Sequence, residues 1–121
     1  MSKSKQKGTA FEKQVAEYMA EALNRPIERR ALGGTNDRGD IAGVTVGGSR
    51  AVVECKACKT LAIPQWLREA EVERQNDGAV YGFVVAKRRG VGAQNTEKQL
   101  AVMELGTLCK LINAANGREC Q

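Results

Sequence analysis

Apolar residues recur at helical spacing after Thr9, where Phe11, Val15, Tyr18, Met19, Ala22 and Leu23 line one stripe between charged and polar positions. Thr9 reads as the N-cap, and Asn24, with Pro26 close behind, ends the helix. The period then shortens. Residues 41–46 and 50–56 read as two strands, and the Gly47-Gly48 pair between them is a hairpin signal. Before them, residues 28–40 (ERRALGGTNDRGD) are rich in Arg, Gly, Asn and Asp, which predicts a turn-containing connection with exposed cations and room for a short strand at its start.

Helical spacing returns with Ile63, Trp66, Leu67, Ala70 and Val72 in a Glu- and Arg-rich segment that ends near residues 76–78, with Pro64 suited to its first turn. Trp66 reads as core; Gln75 reads either as core or as lining a site. Residues 80–86, with YGFVV at their heart, form a compact apolar run and predict a buried strand. A basic, Gly-containing loop, KRRGVG, occupies 87–92; 99–103 predicts another strand, and 105–114 a closing helix with Leu108, Leu111 and Ile112 on its inner face. The order is helix, two or three strands, helix, strand, strand, helix, which favours a mixed α/β sheet flanked by helices.

The 121 residues suit one domain, read here as 8–121, behind a basic tail over 1–7 that is expected to be flexible. Aromatic residues are few, so the core must be built mainly from Ala, Val, Leu and Ile. Lys and Arg outnumber Asp and Glu by 19 to 14, a formal net charge of +5, which suits DNA, RNA or another anionic surface as partner. The chain has no His, which excludes Ser-His-Asp and Cys-His chemistry and every His-ligated zinc site. Any hydrolysis must therefore rest on carboxylates, Lys and a metal ion. No run is apolar enough for a signal peptide or a bilayer span, so no membrane association is expected and the cytoplasm is the expected compartment. The Cys residues are then expected to be free thiols. Cys55 and Cys58 have a C-x2-C spacing, but Cys109 and Cys120 do not form a matching second pair, so packed thiols are preferred to a zinc site.

Candidate chemistry gathers around residues 40–56. Side chains alternate along a strand, so Glu54 and Lys56 share one face while Val53 and Cys55 share the other. Asp40 opens the preceding strand, where a modest stagger brings its carboxylate beside Glu54. Oxygen donors without His suit a hard ion such as magnesium. Lys56 then serves either to orient or deprotonate water or as an electrostatic stabiliser, roles that the sequence leaves open. Each residue also has a plainer reading. Glu54 and Lys56 make a surface ion pair, Asp40 a turn, and T-A-F-E a capping box that ties Glu12 back to Thr9. Arg29, Arg30, Arg38, Lys87, Arg88 and Arg89 are candidates for DNA contact, or solubilising charge.

Gly39-Asp40 followed on the next strand by Glu54-Cys55-Lys56 resembles the PD-(D/E)XK nuclease signature. The strings RRALGGTNDRGDIAG, VVECK, WLREAEVERQNDGA and KRRGVG resemble the phage-type Holliday-junction resolvases of that superfamily, from about Lys7 to the C-terminus. Arg38 and Gly39 stand where the signature has its leading Pro. The resemblance implies a restriction-endonuclease-like α/β core and a magnesium-dependent endonuclease, with manganese able to substitute. It implies Asp40, Glu54 and a first-helix acid, here Glu12, as metal-site and catalytic residues with Lys56. A homodimer acting on branched DNA is implied too, with a role in DNA recombination in the host cytoplasm if the chain is phage-encoded. The rivals are a nuclease of the same fold acting on flaps, duplex sites or ends, and a non-catalytic nucleic-acid-binding module.

Overall fold

The computed structural model describes residues 3–30 and 39–117, with 3–7 described by backbone alone. Helix α1 (Lys3–Leu23) begins well before Thr9, which therefore lies inside the helix, so a capping box with Glu12 does not form there. Residues 3–7 lie in its first turns, in keeping with the good helix propensity of Lys and Gln. Its end is as expected. Asn24 adopts a left-handed φ of 51° and donates its N–H to the Glu21 carbonyl at 3.3 Å.

Among the described residues four strands precede the second helix: β1 (Glu28–Arg29), β2 (Ile41–Ala42), β3 (Thr45–Val46) and β4 (Ser49–Lys56). The run 41–46 is thus two strands, not one. Gly43 separates them with φ 99°, at a place where a Cβ would stand 2.5 Å from the Pro26 carbonyl oxygen. Only a glycine lets the two backbones pass that closely. Beyond that break β3 folds back on β4 through Gly47-Gly48, pairing Val46 with Ser49, while β2 pairs Ile41 with Val53.

A crossover through α2 (Ile63–Asp77) leads to β5 (Tyr81–Ala86), which runs parallel to β4 along most of its length. Gly78 closes α2 in the left-handed conformation, its N–H turned back on the Arg74 and Gln75 carbonyls. After a 3-10 segment (Ala93–Lys98), β6 (Leu100–Val102) pairs antiparallel with β5, and α3 (Leu105–Ala115) follows. The result is a six-stranded mixed sheet, ordered β1-β2-β4-β5-β6 with β3 on β4.

Alternation along the two central strands sorts the core into two layers. Ala51, Val53, Tyr81, Phe83 and Val85 face α1 through Ala16, Met19 and Ala20; Val84 and Ala86 face α2 through Trp66 and Ala70. Trp66 is core, as expected. The closing helix is less buried than its pattern predicts. Only Leu111 packs on the core, whereas Leu108 and Ile112 are 41% and 50% exposed. Among the described residues no helix is long and apolar enough to cross a membrane.

Candidate active site

Gly39 and Asp40 cross β4 at close range. Gly39 takes φ +89°, and a Cβ there would lie 2.7 Å from Val52 Cγ1 and 3.1 Å from the Val53 carbonyl oxygen, so the approach requires glycine. Asp40 N–H donates to the Val53 carbonyl at 2.8 Å, and its own carbonyl accepts from Arg30 N–H at 2.7 Å. These two bonds lock the backbone, and Asp40 Oδ2 then accepts the Cys55 N–H at 2.8 Å. The next side chain along β4's other face is Glu54.

Glu54 is 6% exposed, and its carboxyl group is in hydrogen-bond contact with both Asp40 and Glu73. Burial, those hydrogen bonds and the neighbouring negative charges push its pKa up to about 12, so it holds a proton at neutral pH. Glu73, 4% exposed, comes from α2, where it continues the buried stripe of Trp66 and Ala70. Sequence reasoning placed Val72 on that stripe, yet Val72 is 57% exposed. A charged residue one helical repeat beyond Trp66 and Ala70 was the signal that would have found Glu73. Gln75 is exposed and bonds to Glu71 at 3.1 Å, so it lines neither core nor site.

Lys56 ends β4 on the same face as Glu54, and its Nζ lies 2.9 Å from Glu69 Oε1, also on α2. Partial burial lowers its pKa, but the hydrogen bond to Glu69 and the charges of Glu54, Glu69 and Glu73 outweigh that and hold the ammonium above the ordinary lysine value. The matching effect on Glu69 is downward, led by the same bond. Residues two apart on a strand are about 6.6 Å apart, and residues four apart on a helix about 6 Å. So Glu73 and Glu69 meet Glu54 and Lys56 in turn as α2 runs back along β4.

Glu12 lies on the α1 side, and its Oε1 accepts from Arg29 Nε at 3.1 Å. Its charge reaches Cys55, whose thiol is pushed up by burial and then by Asp40, Glu12 and Glu54. The structure therefore joins Asp40, Glu54 and Lys56, and sets Glu12 near the Cys55 face of the same strand end. Lys87, Arg88 and Arg89 are exposed in the loop after β5, and Lys87 N–H donates to the Lys56 carbonyl at 2.8 Å, which sets this basic loop beside the site. Arg29 is tied to Glu12, Arg30 is half-buried, and Arg38 lies outside the described residues. Cys55, Cys58 and Cys109 are free thiols, and Cys120 lies outside the described residues.

Among the described residues no three Cys, Asp or Glu side chains already stand as a metal-ligand set. The donor chemistry nevertheless fits a hard cation. Oxygens in hydrogen-bond contact are about 2.5–3.0 Å apart, close to the spacing of adjacent oxygens around an octahedral ion with bonds of about 2.1 Å. Compared with known proteins, the chain finds no matching family model, no matching curated protein and no matching solved structure.

Proposed function

We propose that this chain is a magnesium-dependent endonuclease of restriction-endonuclease-like fold that hydrolyses DNA phosphodiesters. The observation that carries the reading is the contact of the Asp40 and Glu54 carboxyl groups at the end of β4, with the Lys56 ammonium one step along the same face. Buried acids in contact are costly unless they serve a purpose, and a divalent cation supplies one. When bound, that ion offsets charge on the phosphate and activates water for attack.

The chain's own residues would do the rest. Asp40 and Glu54 hold the ion by oxygen, Asp40 being fixed by the Cys55 N–H. Lys56, a cation at neutral pH, stabilises negative charge at the phosphate instead of taking a proton from water. The Lys87–Arg89 loop, hydrogen-bonded to the Lys56 backbone, neutralises flanking phosphates. Glu12 contributes from α1 by orienting Arg29 beside the same strand end.

Four-way DNA junctions as substrate, and a homodimer as the acting form, rest on the resemblance of the motifs to junction resolvases. Two-fold symmetry fits that substrate, because it holds two like sites in fixed opposition over paired strands. The test is cleavage of synthetic four-way junctions and matched linear duplex with and without magnesium. Junction cleavage that needs magnesium and disappears in Asp40→Asn and Lys56→Ala is expected; undiminished cleavage by both variants rejects the site.

A further inference from the structure

The geometry points to Glu69 as a positioning residue that aims the Lys56 ammonium at the scissile phosphate. This role rests on the nuclease reading and assigns that site a part on α2. Lysine carries its charge on a flexible four-carbon stem, and an ammonium free to swing spends little time at any one point. Here Lys56 Nζ is held 2.9 Å from Glu69 Oε1, with the lysine side chain 22% exposed and the glutamate 40%. The pair is thus half-buried, and Glu69 Oε1 itself is closed off from solvent.

Three further features place Glu69 for this task. It lies one turn before Glu73, the residue that contacts Glu54, so one helix face meets both reactive side chains of β4. Gln65 Nε2 approaches Glu69 Oε2 at 3.4 Å from the turn before, leaving Oε1 to Lys56. Finally, α2 is seated closely on the sheet. Trp66 and Ala70, on either side of Glu69 in sequence, are buried against Val84 and Ala86 of β5, which fixes where the helix lies. A half-exposed ion pair of this kind contributes little to stability. Its effect belongs to the reaction, where placing a catalytic group is worth far more than holding a fold.

Single-turnover cleavage of a synthetic junction in magnesium, with the full chain in excess, tests the role. Glu69→Ala is expected to slow the cleavage step roughly 5–20-fold, with junction affinity equal or tighter because a negative charge near the phosphate has gone. The melting temperature should stay within a few degrees, and Glu69→Gln, which keeps an oxygen acceptor, should recover part of the rate. In a Lys56→Ala background the Glu69→Ala change should add nothing. A wild-type rate in Glu69→Ala, a loss seen only in affinity, a loss that tracks melting temperature, or additive losses with Lys56→Ala overturns the positioning role alone. Wild-type protein that cuts no DNA in magnesium overturns the nuclease reading, and this role with it.

Discussion

The carboxylate of Asp40 accepts the backbone N–H of Cys55 at 2.8 Å, which fixes the side chain just ahead of β2 to the main chain of β4. That bond separates structure from charge. Asp40→Asn keeps an oxygen acceptor, so its stability should stay near wild type while magnesium-dependent cleavage is lost. Asp40→Ala leaves a part-buried N–H without its partner and should lose about 1–3 kcal/mol as well. Urea denaturation of the two variants checks this; equal stability of both would show that the hydrogen bond is not what holds the strands in register.

Glu54 makes stability depend on pH, and the sign is set by its raised pKa. The unfolded side chain ionises near the ordinary glutamate value, whereas in the fold it keeps its proton up to about 12. Folding therefore takes up a proton throughout that window. Between pH 5.5 and 7.5 the metal-free protein should lose stability as pH rises, by up to about 1.4 kcal/mol per pH unit. The chain has no His, so few other groups titrate between pH 5.5 and 7.5. Urea melts in chelator should show this slope, Glu54→Gln should flatten it, and magnesium should stabilise the wild type more at pH 7.5 than at 5.5. A flat wild-type profile would show that Glu54 ionises freely in the fold.

Glu73 raises the Glu54 pKa by hydrogen bond and by charge, so its removal should act through the same proton. Glu73→Gln should stabilise the metal-free protein at pH 7.5 and reduce the pH slope. It should also raise the magnesium concentration needed for half-maximal cleavage, since negative charge that attracts the ion is lost. A magnesium requirement left at the wild-type level would place Glu73 outside the ion's field.

Much of this arrangement is legible in local pattern. Period-2 alternation places Glu54 and Lys56 on one face of β4, and the buried run 80–86 becomes the strand beside it. What the pattern misses is tertiary. Helical spacing puts Glu73 in line with Trp66 and Ala70, but hydropathy favours Val72, and the choice between them depends on where the helix lies against the sheet. The split of 41–46 at Gly43 is set by the Pro26 backbone, distant in sequence. Leu108 and Ile112 fit an apolar stripe, yet α3 turns only Leu111 to the core, since periodicity reports that a face is apolar and not what covers it. Glu12 keeps helical spacing as well, but its partner Arg29 lies on a strand that carries no periodic signal.

The thiols offer a probe of the same strand end. Cys58 and Cys109 are exposed, while the Cys55 thiol is pushed up by burial and by the charges of Asp40, Glu12 and Glu54. Thiolate is the reactive form, so Cys55 should resist alkylation at pH 8. In a Cys120→Ser background, Cys58 and Cys109 should label quickly and Cys55 only after denaturation. Rapid labelling of Cys55 in the native protein would contradict the closed packing against Asp40.

The loop after β5 allows DNA contact to be divided by residue. Lys87 Nζ donates to the Val91 carbonyl at 3.1 Å, so this side chain braces the loop, while Arg88 and Arg89 are exposed on it. Each cation that contacts a phosphate contributes about one unit to the slope of log affinity against log salt. With Asp40→Asn as background to keep the junction intact, Arg88→Ala and Arg89→Ala should each weaken binding and reduce that slope by about one. Arg29→Ala should behave differently, because it frees Glu12 from its partner and leaves an extra negative charge near the strand end. Its affinity loss should therefore shrink as magnesium is added, whereas the losses at 88 and 89 should persist. Salt slopes unchanged by both loop variants would remove the loop from the DNA surface and leave its charge to solubility.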